Sequence, residues 1–546
     1  MKVVLCGINS KYVHTNLAIR YIEAYAKVHT SNINYNIVED TINTEQNKVL
    51  ENIFNEEPDV IAFSVYIWNV NYILELCKKI KKEKPEILIC LGGPEVSFVP
   101  EKFLQYDFID FVQCGEGEKP MTELFNALDK SLPIPEDMGV CYKECGEIIL
   151  SEPYFEADLD SLESPYTDEY LKNVSGRLAY FEASRGCPFS CAFCLSGGCA
   201  GVRNFNMDYV KKSLLALWNS GTTTIKFVDR TFNADRRRAD EIISFIIKNS
   251  PNMPKVCFHF EIAADILSDS TLDLLKNAPC GLFQIEAGLQ SFNQQTLMAV
   301  TRKNNVEKIC EKVKKILEFK NIHTHIDLIA GLPYEDFESF KDSFNKAYDL
   351  GADMLQLGFL KLLHGSKLRE KSVEYNIEFD QKAPYTVKST KWLDESELEK
   401  LYAVEDANEK INNSGRFKKS LEYVLKMNDE TPFELFLGFG KKQSMPLDKY
   451  TDELFKYFLT KKNVNRDVLR DYMCIDRMST NNTGIFPESL KIHDERLSVL
   501  AKQLDEVPKE KGAKRVICIL YTQNRAVYAD YNKGDLLPYK LNFIDI

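Results

Sequence analysis

Three cysteines lie close together near the middle of the chain, at a spacing that suits a metal centre. The segment reads Cys187-Pro-Phe-Ser-Cys191-Ala-Phe-Cys194, a Cys-x3-Cys-x2-Cys pattern. A closed structural zinc site uses four protein ligands, and ferredoxin-type clusters use four cysteines in other spacings. A loop with three thiolates can instead bind three irons of a [4Fe–4S] cluster and leave the fourth iron open to a substrate. The alternative is a zinc site completed by Cys199 or His259.

The elements around this loop predict that it lies at the functional face of a barrel. Apolar runs alternate with helical patterns from residue 177 to residue 375, and the cysteines follow the first of these runs directly. The six predicted strands are Leu178–Ala183, Thr224–Val228, Val256–Ile262, Leu282–Glu286, His323–Ile329 and Met354–Leu360. Six such repeats favour a partial (β/α)6 barrel, whose functional groups gather at the C-terminal strand ends.

The first 125 residues predict a separate α/β domain with a doubly wound parallel sheet. Its predicted strands are Lys2–Cys6, Val60–Ser64, Ile87–Leu91 and Phe108–Gln113, with helical patterns between them. Ligands of such sheets bind at the carboxyl ends of the strands. The candidate binding residues at those ends are Ser64, Gly92, Gly93, Gly115 and Glu116. Glycine at several strand ends lets the backbone approach a bulky ligand closely.

The rest of the chain carries no catalytic signature. Residues 126–176 are rich in proline and have little periodicity, which predicts a linker. Residues 381–546 show amphipathic patterns at Glu395–Asn412, Lys418–Met427 and Asp452–Leu459, followed by two apparent strands, Arg515–Tyr521 and Arg525–Tyr531. We therefore expect a mostly helical C-terminal domain.

Composition and charge limit the cellular compartment and the classes of partner that we expect for this protein. The chain has 69 Lys and Arg against 81 Asp and Glu, a net charge of −12, which argues against nucleic acid as a partner. No run approaches the roughly 18 apolar residues of a membrane span, and the N-terminus lacks a signal-peptide pattern. We therefore predict a cytoplasmic protein, whose 15 cysteines are not a disulfide framework.

The segment Arg185-Gly-Cys187-Pro-Phe-Ser-Cys191-Ala-Phe-Cys194 closely resembles the signature of the radical S-adenosylmethionine (SAM) enzymes. The resemblance implies that Cys187, Cys191 and Cys194 ligate a [4Fe–4S] cluster. It also implies that the open iron chelates the methionine part of SAM, and that an electron from the reduced cluster cleaves the sulfonium to give a 5′-deoxyadenosyl radical.

Later strands resemble the oxygen-independent coproporphyrinogen oxidase-like branch of that family. The matching motifs are Phe260-Glu261-Ile262, Gly288-Leu289-Gln290-Ser291-Phe292 and Asp327-Leu-Ile-Ala-Gly331-Leu332-Pro333. The resemblance implies that Glu261 contacts the methionine end of SAM, that Gln290 and Asp327 bond the ribose hydroxyls, and that Phe193 lies near the adenine. The second strand departs from the family pattern, because Asp229 stands where a Gly-Gly-Glu motif is usual.

The N-terminal domain resembles the cobalamin-binding domain found in many radical SAM proteins. Val60-Ile-Ala-Phe-Ser64-Val-Tyr66, Leu91-Gly92-Gly93-Pro94-Glu95 and Gly115-Glu116-Gly117-Glu118 match the positions that surround the nucleotide tail of cobalamin. The Asp-x-His-x-x-Gly motif, which supplies a lower axial histidine, has no copy in the first βα loop. His14 in that loop is therefore the candidate to approach cobalt.

These resemblances together imply a cobalamin-dependent radical SAM enzyme that methylates an unactivated carbon of a small molecule or peptide. The same cofactors can instead support cyclisation, oxidation or rearrangement. Flavodoxin or ferredoxin is the expected electron donor. Two other classes stay open, a non-catalytic cobalamin or redox sensor and an enzyme that modifies tRNA or another macromolecule. SAM contacts on several strands argue against the sensor, and the acidic charge argues against nucleic acid.

Overall fold

The protein divides into two units. The computed structural model describes residues 1–198, 201–491, 494–509, 512–532 and 538–546. The first unit comprises Met1–Glu335 and Phe359–Trp392, and the second comprises Asp336–Gly358 and Leu393–Ile546. Among the described residues, every helix is too short or too polar to cross a bilayer.

The N-terminal part of the first unit is one seven-stranded sheet with helices. Its strands are β1 (Lys2–Asn9), β2 (Asn34–Thr41), β3 (Val60–Ser64), β4 (Leu88–Gly92), β5 (Phe111–Gln113), β6 (Val140–Glu144) and β7 (Glu147–Ile149). Its helices are α1 (Leu17–His29), α2 (Gln46–Asn55), α3 (Val70–Glu83), α4 (Pro100–Leu104) and α5 (Glu118–Lys130). The order is β2-β1-β3-β4-β5-β6-β7, and the first five strands are parallel. This is the doubly wound sheet that the sequence predicts.

Apolar side chains cover this sheet on both faces. Val4, Cys6 and Ile8 of β1 belong to one buried cluster, whereas Val3 and Leu5 belong to another. Successive side chains of a strand point to opposite faces, so β1 has a core on each side of the sheet. Strands buried in this way read as continuous apolar runs, which is why the sequence predicts them well.

The segment predicted as a linker contributes two strands to the sheet. β6 pairs with β5 and β7 pairs with β6, both antiparallel. Val140 and Cys141 of β6 are buried, but the strands have only five and three residues, too few to give a periodic pattern. The expectation of an irregular linker over 126–176 is therefore wrong for its first half.

The middle of the chain forms a second series of strands and helices. The elements are α6 (Asp168–Asn173), β8 (Leu178–Phe181), β9 (Ser184–Arg185), β10 (Arg203–Asn204), α7 (Met207–Trp218), β11 (Thr224–Phe227), α8 (Arg236–Asn249), β12 (Cys257–Ile262), α9 (Asp269–Lys276), β13 (Phe283–Gln290), α10 (Gln294–Ala299), α11 (Val306–Phe319), β14 (His323–Ala330), α12 (Phe337–Asp349) and β15 (Met354–Phe359). Within the first unit, β8, β11, β12, β13 and β14 are parallel and adjacent in that order. All six predicted barrel strands form.

Alternation along these strands separates an apolar outer face from a polar inner face. Phe227, Phe258 and Phe260 are fully buried and belong to a group of packed rings. Their sequence neighbours Lys226 and Glu261 lie on the other face of the same strands, because side-chain direction reverses at each residue. The inner face therefore carries the charged groups.

The last third of the chain is mainly helical, as predicted. Its elements are α13 (Lys367–Glu370), β16 (Glu378–Phe379), β17 (Val387–Ser389), α14 (Glu395–Ala407), α15 (Lys418–Met427), α16 (Pro432–Phe439), α17 (Leu447–Leu459), α18 (Arg466–Thr480), α19 (Arg496–Asp505), β18 (Lys514–Leu520), β19 (Arg525–Tyr531) and β20 (Asn542–Asp545). The two predicted strands appear as β18 and β19, and β20 extends their antiparallel sheet.

Candidate cofactor sites

The cysteine loop follows β9 and is anchored to two distant segments. Cys187, Cys191 and Cys194 are each half-buried. The backbone of Ala192, between them, accepts from Leu368 N (2.8 Å) and donates to Val300 O (2.9 Å). These bonds fix the loop from both sides, so its thiols are presented from a rigid backbone.

Arg302 brings a positive charge to the thiols. Its Nη1 donates to Sγ of Cys191 at 3.4 Å, and its Nη2 donates to the carbonyl of Gly288 in β13. Burial raises the pKa of Cys191, and Arg302 opposes that shift. A guanidinium beside the loop favours thiolates, the form that binds metal. Arg302 leaves no signal in the sequence, because it is 111 residues from Cys191 and only the fold brings them together.

The zinc alternative gains no support from the described residues. His259 donates to Oε2 of Glu286 at 3.0 Å, and Cys199 lies outside the described part of the chain. In the segments that the structure describes, no group of three or more His, Cys, Asp or Glu side chains is arranged to hold a metal ion. The cysteine loop carries three thiols, the number that the resemblance to radical SAM enzymes implies for a cluster with an open iron.

A lysine occupies the inner face of the strands near the loop. Nζ of Lys226 lies 3.3 Å from Oε1 of Glu261 and 3.4 Å from Oε2 of Glu286. Burial acts to raise the pKa of Glu286, but His259 and Lys226 outweigh it and lower that pKa to about 2. Glu261 thus already accepts from a nitrogen donor, as it would from the amino group of SAM.

Gln290 and Asp327 present buried acceptors that have no hydrogen-bond partner in the described part of the chain. Gln290 ends β13 with a φ of +73°, and its Oε1 is buried without a hydrogen bond to any described residue. Oδ1 of Asp327 in β14 is equally unpartnered. Burial, followed by the charges of Glu286 and Glu261, raises the pKa of Asp327 to about 8. Because buried acceptors are seldom left unpaired, these two groups fit the hydroxyl donors of a ligand.

Phe193 and Asp229, the remaining residues that the sequence singles out in the barrel, lie on or beside the cysteine loop. Phe193 is half-buried between Cys191 and Cys194, on the loop itself. Asp229, at the end of β11, is buried and accepts hydrogen bonds from the backbone of Ala183 and the hydroxyl of Ser184. Asp229 therefore bonds the chain just before the cysteine loop.

The predicted cobalamin residues lie along the carboxyl edge of the first sheet. Ser64 and Gly92 end neighbouring strands and pair in register. A Cβ on Gly92 would meet nothing closer than the Cβ of Gln113, at 3.7 Å, so a ligand can approach it. Gly93 has a φ of +111°, and a Cβ there would lie 2.6 Å from the carbonyl oxygen of Val65. The chain therefore requires glycine at position 93 whether or not a ligand binds.

The loop after β5 is tied to the barrel by charges. Glu116 forms ion pairs with Arg185 (3.1 Å) and Arg203 (2.6 Å), so arginines contact both of its oxygens. A Cβ at position 115 would collide with the carbonyl of Tyr154, which explains why this residue is glycine. The sequence predicted ligand contacts for Gly115 and Glu116, and the structure gives each of them an intramolecular partner.

His14 lies between the first sheet and the barrel. Its Nδ1 is 2.9 Å from the hydroxyl of Tyr180 in β8. Burial lowers its pKa, which favours the neutral imidazole, the form that ligates metals.

Three family models match consecutive parts of the chain. Residues 3–125 match the B12 binding domain, and residues 181–347 match the radical SAM superfamily. The chain joins a B12-binding domain to a radical SAM domain. Residues 373–521 match a family of unknown function, DUF4080. The B12-binding domain confirms cobalamin as a predicted cofactor, and the radical SAM domain confirms the [4Fe–4S] cluster and SAM.

Curated relatives and solved structures agree with these matches. The chain is 26% identical to the cobalamin-dependent radical SAM methyltransferase TokK of Streptomyces tokunonensis, over 62% of this chain and 53% of TokK. It is 25% identical to an anaerobic magnesium-protoporphyrin IX monomethyl ester cyclase of Rubrivivax gelatinosus, over 58% of each chain. The structure of OxsB, a cobalamin-dependent SAM radical enzyme with aqua-cobalamin bound, superimposes with a TM-score of 0.62 at 16% identity, over 92% of this chain and 75% of OxsB.

These comparisons confirm the fold class. The chain spans about half the length of the curated relatives it matches. The likeness to OxsB concerns the fold, at 16% identity. Which residues hold each cofactor, and the exact domain boundaries, stay predictions.

Proposed function

We propose that this chain cleaves SAM reductively at a [4Fe–4S] cluster and, with cobalamin, methylates an unactivated carbon. The observation that carries the proposal is the pair of unpartnered buried acceptors, Gln290 Oε1 and Asp327 Oδ1, on strands beside the cysteine loop. When bound, the cluster and SAM supply an organic radical and cobalamin supplies methyl-transfer chemistry, while the protein supplies binding and orientation.

In the radical SAM domain, the role of the side chains is to orient SAM. Cys187, Cys191 and Cys194 hold the cluster, and Glu261 accepts a hydrogen bond from the amino group of SAM in place of Lys226, which lies 3.3 Å away. Gln290 and Asp327 accept the ribose hydroxyls. Contacts from separate strands fix the ligand along its length, and such orientation is a large part of catalysis when a reactive carbon must meet one hydrogen atom. Phe193 covers the adenine from the loop.

In the B12-binding domain, the carboxyl edge of the sheet receives cobalamin. Ser64 and Gly92 meet the nucleotide tail, and the open space at Gly92 supports this placement. Gly93 and Gly115 shape the loops on either side through their positive φ angles. Glu116 acts through Arg185, which lies two positions before Cys187, and so connects the two cofactor regions.

The outcome of the radical reaction has two candidates. Methyl transfer is supported by the relative TokK, which is named a methyltransferase. Ring formation is supported by the R. gelatinosus relative, which is named a cyclase. The proposed substrate is a small molecule or peptide, and the proposed electron donor is a flavodoxin or ferredoxin. A non-catalytic sensor has less support, because it has no need of the two acceptors on β13 and β14.

The test is formation of 5′-deoxyadenosine from SAM by the anaerobically reconstituted full chain with dithionite, followed by mass spectrometry. Cys191→Ala should abolish the product, because the cluster loses one of its three ligands. Cys310→Ala replaces another half-buried thiol, in α11, and should keep it. Asp327→Ala should weaken SAM binding by roughly tenfold, the effect of losing one hydrogen bond of about 1.4 kcal/mol. Equal product from wild type and Cys191→Ala would refute the proposal.

A further inference from the structure

The segment Asp229–Asn233, which begins two residues after the end of β11, bonds to the ends of the strands on both sides. We call this segment the β11 bracket. Toward β8, Asp229 accepts from the backbone N–H of Ala183 at 3.0 Å and from the hydroxyl of Ser184 at 2.5 Å. Ala183 and Ser184 lie three and two residues before Gly186, where the cysteine loop begins. The bracket therefore holds the chain from which the cluster ligands emerge.

The bracket is equally fixed toward β12. Asn233 donates through Nδ2 to the carbonyl of Ala263 at 2.8 Å and accepts from the N–H of Ala263 at 2.9 Å. Phe232 N donates to the carbonyl of Glu261 at 2.9 Å. Asp229, Thr231 and Asn233 are all buried. A segment bonded at both ends in this way has little freedom, so the residue at its centre is held in place.

That central residue is Thr231, and it touches a predicted cluster ligand. Its Oγ1 lies 3.4 Å from Sγ of Cys187 and donates to the carbonyl of Arg230 at 2.8 Å. While Cys187 is a protonated thiol, its S–H can donate to the threonine oxygen. A cluster ligand is a thiolate and has no proton to donate. The threonine has one rotatable hydroxyl proton, which can turn to the sulfur.

We propose that Thr231 donates a hydrogen bond to the sulfur of Cys187 in the cluster-loaded protein and thereby raises the reduction potential of the cluster. The inference rests on the proposed function, because it requires the [4Fe–4S] cluster on the cysteine loop. Hydrogen bonds to the sulfurs are one of the factors that set the potential of such clusters. Accepting one electron makes the cluster more negative, so a donor to its sulfur stabilises the reduced form. Thr231 is then a positioning and tuning residue that does not itself contact the substrate.

Three variants separate the hydroxyl from the shape of the side chain. Thr231→Val keeps the shape and removes the hydroxyl, and Thr231→Ser keeps the hydroxyl. Thr222→Val is the matched control, since Thr222 is also buried and its hydroxyl donates to Arg177 O at 2.7 Å, just before the opposite end of β11. Each full chain is reconstituted anaerobically with iron and sulfide, without SAM. Its one-electron reduction is titrated against potential and followed by electron paramagnetic resonance (EPR).

The expected result is a lower potential in Thr231→Val alone. At a fixed potential, the ratio of reduced to oxidised cluster should fall by up to about tenfold, which corresponds to 59 mV for one electron. Thr231→Ser and Thr222→Val should match the wild type. If valine prevents cluster assembly, Thr231→Ala gives the same comparison, and an exchangeable deuteron coupled to the wild-type cluster in D2O gives a second readout.

The possible failures are distinguishable. A Thr231→Val chain with full iron content and an unchanged potential would overturn the role of Thr231 and leave the cluster in place. An equal shift in Thr222→Val would also overturn it, because the effect would then belong to any buried threonine of the strand. A wild-type chain that assembles no cluster would refute the proposed function itself.

Discussion

Replacement of Arg185 by methionine is expected to destabilise the first unit by about 3–5 kcal/mol, the usual cost of removing one partner from a buried ion pair. The Arg185 side chain is only 11% exposed and contacts Glu116 at 3.1 Å, Glu118 at 2.5 Å and Glu182 at 3.1 Å. Methionine fills similar space but supplies no charge. Glu116 keeps Arg203 as a partner, whereas Glu118 and Glu182 lose their nearest cation.

The loss should depend on pH in a defined direction. Burial raises the pKa of Glu182 from 4.5 to about 7, although Arg185 lowers it. A carboxyl whose pKa is raised on folding contributes stability that is present below pH 4.5 and lost as the pH rises through 7. Without Arg185 that pKa rises further, so the destabilisation should be largest above pH 7 and smaller near pH 5.

The assay is urea unfolding followed by tryptophan fluorescence at pH 5, 6, 7 and 8, with midpoint and slope compared between variant and wild type. Glu118→Gln and the double variant complete a thermodynamic cycle, and the expected coupling energy between the two sites is about 0.5–3 kcal/mol. Arg236→Met in α8 is the exposed control. An Arg185→Met chain within about 1 kcal/mol of the wild type at pH 8 would refute the reasoning, and so would a deficit that grows toward pH 5.

Three further predictions concern the cofactor regions. Gly93→Ala should lower the free energy of unfolding in urea by about 1–3 kcal/mol, because position 93 has a φ of +111° and the new Cβ would lie 2.6 Å from Val65 O. Gly92→Ala should change the same free energy by less than about 1 kcal/mol. Equal losses in the two variants would contradict the geometry. Gly92→Leu should reduce the amount of retained cobalamin, measured by absorbance, at least twofold, with the iron content unchanged. Unchanged retention of cobalamin would show that its nucleotide tail binds elsewhere. Burial raises the pKa of Asp327 from 3.8 to about 8, so its contribution to stability is present below pH 3.8 and lost as the pH rises through 8. Asp327→Asn cannot ionise and does not lose this stability, so its urea midpoint should rise relative to that of the wild type between pH 6 and pH 9. A difference in midpoint that stays constant over this range would contradict the raised pKa of Asp327.

The sequence predicts well the features that depend on residues close together in the chain. The three cysteines lie within a segment of eight residues, so their spacing can be read directly. The buried parallel strands are continuous apolar runs, and β3 is predicted to the residue. The strands β2, β6 and β7 are missed because they are partly exposed, and they depend on pairing with β1, β5 and β6 respectively for their conformation.

The contacts that complete the sites depend on tertiary structure and leave no local signal. Arg302 reaches Cys191 from a loop after α10, and Lys226 reaches Glu261 across neighbouring strands. Gly93 illustrates a different limit. Its glycine was predicted from ligand access, but the backbone of Val65 is what approaches it. Glycine in a sequence indicates that something comes close, without indicating what.

The most direct test of the central claim is the iron and cobalt content of full-length protein purified anaerobically from cobalamin-fed cells. The triple variant with Cys187, Cys191 and Cys194 changed to alanine is the matched control. The expected result is about four irons and one cobalt per wild-type chain, and cobalt without iron in the variant. Iron without cobalt in the wild type would contradict the cobalamin-dependent mechanism, and equal iron in both proteins would contradict the assignment of the cluster to this loop.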